Sequence, residues 1–204
     1  MNAMGRALSR RGYTPDNIGY PSTCHPIAHL ADRVVRPAVD RWLDAGADRI
    51  HFVTHSLGGI LVRAEAARRH DAGTPLPDGC RAVMLAPPHA GSEVADALRD
   101  TWPVSAWCGP ALRELGTGDD SVPRALGPVR GIEAGVLIGT RRVVPFDRFF
   151  EGANDGTVSV ESAFAPEGLQ DTQVVRSSHA FVMRDSEVIR QTLYFLDHGR
   201  FHAD

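Results

Sequence analysis

Ser56 is the residue of this chain best placed to do chemistry. It stands in Arg49-Ile50-His51-Phe52-Val53-Thr54-His55-Ser56-Leu57-Gly58-Gly59, where an apolar, partly β-branched run passes through a serine into the helix-prone stretch Ile60 to Ala67. A buried strand that turns straight into a helix strains the backbone at its apex and needs small residues two places to either side. Thr54 and Gly58 occupy those places. The turn presents Ser56 Oγ at the carboxyl end of a sheet. The Leu57 N–H, in the first turn of the helix, is an unpaired donor at the positive end of the helix dipole, where it can face a developing oxyanion. The competing reading is a plain helix start with Ser56 as its cap. A serine hydroxyl is a weak nucleophile unless a base lies within hydrogen-bond reach and an acid orients that base.

The elements that must position such a group alternate between strands and helices. Met1 to Arg11 reads as a short amphipathic helix with Met4 and Leu8 on one face, ended by Gly12. An extended piece, Asn17 to Tyr20, follows. From His25 to Ala45, apolar residues recur at helical spacing, with a kink or boundary expected at Arg36 because Pro37 lies inside the run, and Gly46 as the C-terminal cap. Further strands are expected at Arg49 to Val53, Cys80 to Ala86, Ala134 to Thr140 and Asp171 to Arg176. A final helix, capped by Asp185 or Ser186, should run to about His198 with Val188, Ile189, Leu193 and Leu196 inward. Residues 93–130 carry Trp102, Trp107, Leu112 and Leu115 among many Gly and Pro, and read as a small cap or lid of short helices. This order implies one α/β domain over 1–204, a mostly parallel sheet with helices on both faces.

Composition narrows the function. The chain has 204 residues, a net charge of -3 and 43% hydrophobic residues, and its basic residues form only short pairs such as Arg141-Arg142, so neither nucleic acid nor an anionic membrane surface is an expected partner. No apolar run approaches the ~18 residues of a spanning helix. Three scattered cysteines, Cys24, Cys80 and Cys108, cannot make a complete disulfide framework, which favours a reducing compartment, the cytoplasm. No C-x-x-C, H-E-x-x-H or glycine-rich phosphate loop is present, and neither a metal nor an organic cofactor is expected.

The elbow resembles that of the serine hydrolases of the α/β-hydrolase fold, whose pattern is G-x-S-x-G, with Thr54 here in place of the first glycine. Three ordered motifs narrow the resemblance to bacterial lipase-like members: His55 to Gly59, Pro87-Pro88-His89-Ala90-Gly91-Ser92 after the next strand, and Asn154-Asp155-Gly156. The resemblance covers about Arg11 to Phe201. It implies the chain order serine, acid, histidine, and therefore Ser56 as nucleophile, Asp155 as acid and His179, in Ser177-Ser178-His179, as base. Asn-Asp-Gly is also a common turn sequence, and Asp147 is a rival acid in the same interstrand region. His89 has no assigned role, and Ser92 reads as a helix cap. His55 belongs to the elbow but is expected to point away from Ser56 Oγ, and His51 to pack.

The family's first oxyanion donor comes from a loop after a strand that precedes the first helix. Neither is found here, since Met1 already lies in what resembles that helix. The missing strand would sit between Asn17 to Tyr20 and Arg49 to Val53, leaving a gap in the sheet. The reading favoured here is that the start is an internal methionine of a longer hydrolase, which would also hide any export signal. The alternatives are that the flanking strands close up, or that the fold has lost catalysis and binds an acyl ligand or a protein. The expected activity is cleavage of small-molecule or lipid carboxylic esters through an acyl-enzyme. An acyltransferase or thioesterase would use the same residues.

Overall fold

The computed structural model of the chain describes residues 1–99, 104–142 and 149–203. Its sheet has four parallel strands in the order β1 (Phe52–His55), β2 (Arg81–Leu85), β3 (Glu133–Gly139) and β4 (Asp171–Val175). The last three lie within one residue of their expected bounds. β1 does not: it is shifted toward the serine, ending at His55, because its ladder pairs Phe52 to His55 with Ala82 to Leu85.

β2 and β3 read as continuous apolar runs because both faces are covered. On one face, Val83, Leu85 and Leu137 pack with Met4 of α1 (Asn2–Arg10) and with Val188, Phe195 and Leu196 of α9 (Ser186–His198). On the other, Ala82, Met84, Val136 and Ile138 pack with Val62 of α4 (Leu57–Asp71) and Ala163 of α8 (Val160–Phe164). Asp185 caps α9, accepting from Glu187 N–H at 2.9 Å, and Gly199 ends it in the left-handed conformation. Phe195 rather than Leu193 dominates its buried face, and Gly135 is what admits that ring: a Cβ there would lie 2.3 Å from Phe195.

The run from His25 to Ala45 becomes α2 (Ile27–Leu30), a π-helical turn (Ala31–Val35) and α3 (Arg36–Asp44). The break falls at Arg36 as Pro37 requires, since proline has no N–H to continue the α ladder. Within 93–130 lie α5 (Glu93–Arg99), α6 (Val104–Glu114) and α7 (Val122–Ala125). Leu115 is buried and Leu112 partly so, in a cluster with Ile27, Leu57 and Ile60, which makes them packing residues. Trp102 and the Trp107 side chain lie outside the described residues.

Asn17 to Tyr20 is not a strand; residues 13–20 are irregular, and Ile18 is 42% exposed. The physical reason is the sheet's open side. Ser56 N–H donates to Leu85 O at 2.9 Å, so by alternation Thr54 and Phe52 face β2, and Val53 and His55 turn their peptide groups to the other edge. No described strand pairs there. A cavity of about 1120 Å³ adjoins this edge, with Met4, Leu8, Ile18, Val39, Phe52 and Val53 among its lining. The flanking segments therefore do not close up. No helix among the described residues is long and apolar enough to cross a membrane.

The Gly135 contact predicts that Gly135→Ala destabilises the chain by about 1–3 kcal/mol through overpacking. Chemical denaturation should show the loss, and Phe195→Leu in the same chain should recover part of it.

Candidate functional site

The strand-to-helix turn has the geometry its residues imply. Ser56 has φ 53° and ψ −125°, and with Ala86 is one of two non-glycine residues with positive φ among the described residues. Such a conformation costs on the order of 1–3 kcal/mol and persists only where the surroundings impose it. The side chain makes no capping hydrogen bond to α4, so the plain helix-cap reading does not hold. The tightest approach is at Gly59, where a Cβ would lie 3.0 Å from Pro87 and 3.4 Å from Thr54 Oγ1. At Gly58 the nearest contact would be an ordinary 3.5 Å, to Thr54. Threonine in the glycine position leaves its own mark, since Thr54 Oγ1 is buried without a partner.

Asp155 and His179 come together across two loops. Asp155 Oδ2 lies 2.7 Å from His179 Nδ1, and the His179 N–H donates to Asp155 O at 3.0 Å. Asp155 Oδ1 accepts from the N–H groups of Thr157 at 3.0 Å and Val158 at 2.9 Å, so the buried carboxylate has both oxygens satisfied. Asn154, also buried, closes the turn by accepting from Gly156 N–H. Asp147 lies outside the described residues. No hydrogen bond joins Ser56 Oγ to His179 among the described residues; the link between the two loops runs through His55. Its Nε2 is 3.0 Å from His179 O, and the two rings are 4.7 Å apart at 48°. Burial, above all, holds His55 neutral, with its pKa lowered to about 4.

Loop packing sets this arrangement. A Cβ on Gly139 would lie 2.1 Å from Ser177 O and 3.4 Å from Asp155 Cβ, so the end of β3 must be glycine for the two loops to meet. Ser92 caps α5, accepting weakly from Ala95 N–H at 3.4 Å, and also donates to Thr157 O at 2.8 Å, tying its loop to that of Asp155. His89 is buried. Arg63 donates to its Nδ1 at 3.1 Å, and desolvation, then the Arg63 charge, lowers its pKa to about 3. His51 accepts from Arg81 N–H and meets the Tyr13 ring edge-on, a packing role. The bond from His55 to His179, the approach of Gly139 to Ser177 and the Arg63–His89 pair have no sequence signature, because each joins residues more than 20 positions apart. Among the described residues no group of three or more His, Cys, Asp or Glu is arranged to hold a metal ion.

Solved structures share this arrangement of strands and helices. The mature form of the lipase BlEst2 from Bacillus licheniformis superposes with a TM-score of 0.71 at 20% identity, over 95% of this chain and 83% of that one. The chain has an abbreviated α/β-hydrolase fold. The metagenomic carboxyl esterase MGS0156 matches the hydrolase fold of this chain with a TM-score of 0.65 at 22% identity, over 87% of this chain and 57% of that one. The phospholipase PlaB from Legionella pneumophila, in complex with thio-NAD, matches with a TM-score of 0.54 at 22% identity, over 78% of this chain and 38% of that one. The chain thus spans under two thirds of the latter two. No family model matches the sequence, and no curated protein does.

Two measurements test the geometry. Gly139→Ala should separate the Asp155 and His179 loops and lower stability by about 1–3 kcal/mol; a denaturation midpoint equal to wild type would show that the clash is absorbed elsewhere. His89 and His55 are neutral when folded but bind protons near pH 6.5 when unfolded, so the unfolded chain carries more protons at acid pH. Their contribution is complete above about pH 6.5 and is lost as pH falls toward the lowered folded values, by about 1.4 kcal/mol per pH unit for each histidine. Unfolding free energies from chemical denaturation between pH 7 and pH 4 should fall with that slope, and less steeply in His89→Gln.

Proposed function

We propose that the protein is a serine hydrolase that cleaves carboxylic esters, of lipase or esterase type, through an acyl-enzyme on Ser56. The observation that carries the reading is the Asp155–His179 hydrogen bond of 2.7 Å, on loops held against the residue that precedes a strained, uncapped serine. The lipases, esterases and phospholipase of similar fold support the same chemistry.

In this reading Asp155 accepts from His179 Nδ1–H and so fixes the tautomer whose Nε2 takes the proton of Ser56 Oγ. Ser56 Oγ attacks the ester carbonyl, and the Leu57 N–H, at the head of α4, donates to the oxyanion. His179 then protonates the leaving alcohol, and water, deprotonated by His179, releases the acid. The second donor to the oxyanion is the part for which no residue is named. A missing donor costs about a hundred- to a thousandfold in turnover. The open edge of β1, which lies beside Ser56, favours as second reading an impaired hydrolase that binds an acyl ligand or a protein. The helices of residues 93–130 form the cap in either case. An acyltransferase or thioesterase using the same three residues differs only in the acceptor. The substrate is a small-molecule or lipid ester. Cys24 and Cys80 are free, in keeping with residence in the reducing cytoplasm.

Intact-mass detection of fluorophosphonate labelling tests the assignment. Wild-type protein should gain a single adduct that is absent from Ser56→Ala and His179→Ala. Folded wild type that takes no label lacks a working site, and the binding reading then replaces the hydrolase.

A further inference from the structure

The proposed reaction leaves one contact at the site unused, that between the residue before the nucleophile and the base. We propose that His55 is a positioning residue, which holds His179 over the elbow by donating its Nε2–H to the His179 carbonyl. The proposal rests on the assignment of Ser56 and His179 above.

His179 has three ties. Its N–H donates to Asp155 O at 3.0 Å, its Nδ1 bonds Asp155 Oδ2 at 2.7 Å, and its carbonyl lies 3.0 Å from His55 Nε2. The first two run to the same residue, and Ser177 O and Ser178 O beside His179 accept from Arg141, Phe181 and Val182 N–H, but none of these bonds reaches the elbow. The third runs to the last residue of β1, next to Ser56. It is thus the tie that sets the distance between base and nucleophile, and it leaves His179 Nε2 free to face the serine.

The chemistry of the donor is determined by its partner. A carbonyl oxygen only accepts, so Nε2 of His55 must carry the hydrogen. The titratable side chains that face His55 are His179 and Asp155; burial is the largest influence keeping the ring uncharged, reinforced by His179 and opposed by the bond to the His179 carbonyl and by the Asp155 carboxylate. Neutrality matters here, because His179 becomes cationic as it takes the serine proton and a second cation 4.7 Å from its ring would oppose that step. His55 is therefore a donor that positions the base without competing with it for charge.

Two variants of similar bulk separate positioning from packing. His55→Leu fills the space without a donor, and His55→Gln returns an amide N–H near the Nε2 position. With a p-nitrophenyl ester, His55→Leu should lower kcat about 10- to 100-fold, as small misplacements of reacting groups do, with KM within about twofold of wild type. The rate of fluorophosphonate labelling should fall in parallel, and His55→Gln should recover most of both. Folded His55→Leu with wild-type kcat, or equal loss in both variants, overturns the proposal. If wild type shows neither turnover nor labelling, the hydrolase reading fails on its own, and the low-field proton resonance of the Asp155–His179 hydrogen bond decides the role of His55. Loss of that resonance in His55→Leu with its return in His55→Gln supports positioning; persistence in His55→Leu, or absence from wild type, overturns it.

Discussion

The hydrogen bond between Asp155 and His179 is the interaction on which the upper end of the sheet depends, because it fixes the loop after β4 against the loop after its neighbour β3. His179 follows β4 and Ser56 follows β1, three interstrand spacings away, about 14 Å. The loop after β4 must arch back over β3 and β2, exposing backbone groups that need partners wherever they are buried. Each is met locally: Ser177 O accepts from Arg141 N–H at 2.8 Å, His179 N–H donates to Asp155 O, and His179 O meets His55. Gly139 makes the passage possible by having no side chain at the crossing point.

The same end of the sheet carries its costs. Ser56 and Ala86 adopt left-handed backbone conformations at the ends of neighbouring strands, and Thr54 Oγ1 and His89 Nε2 are buried without partners. An unsatisfied buried polar group costs about 1–3 kcal/mol. The two strained backbones lie at and beside the serine, while buried polar atoms without partners occur elsewhere as well, at Gln173 Oε1 on β4 and Thr192 Oγ1 on α9. A sequence selected for stability alone would relax them, for instance with glycine at 54 or 56. Two strained backbones at the ends of neighbouring strands are the feature to compare with the proposed site, since such strain persists only where the surroundings impose it.

Much of this was legible in the sequence because it depends on local periodicity. The apolar runs of β2 and β3, the Pro37 break, the Gly46 cap and the turn at Ser56 each follow from neighbouring residues. The pairing of Asp155 with His179 came from chain order in a resembling family, and the structure brings those two residues into contact; no local feature would have chosen Asp155 over Asp147. Long-range features stayed hidden. Asn17 to Tyr20, expected to be extended, contains Asn and Gly, which strands disfavour, and pairs with no described strand, so it remains irregular. His55 looked like a bystander because the side chain it touches lies 124 residues further along.

The open edge of β1 sets the balance between the two readings of function. Each residue of β1 is only partly buried, with Val53 packed toward the cluster of Met4 and Phe52 toward those of Val62 and Val39, and the peptide groups of its free edge border a cavity. In the proposed reaction acid–base chemistry needs none of that edge, since Asp155, His179 and His55 are held by bonds to one another. A second oxyanion donor beside the Leu57 N–H is, in the same proposed reaction, assigned to no residue, and the free edge of β1 borders a cavity. The proton-transfer half of the site can therefore be fully organised while the electrostatic half is not. In that case a reagent such as a fluorophosphonate, with a strongly activated leaving group, would report on the first half even where an ordinary ester, with its greater need for oxyanion stabilisation, turned over slowly.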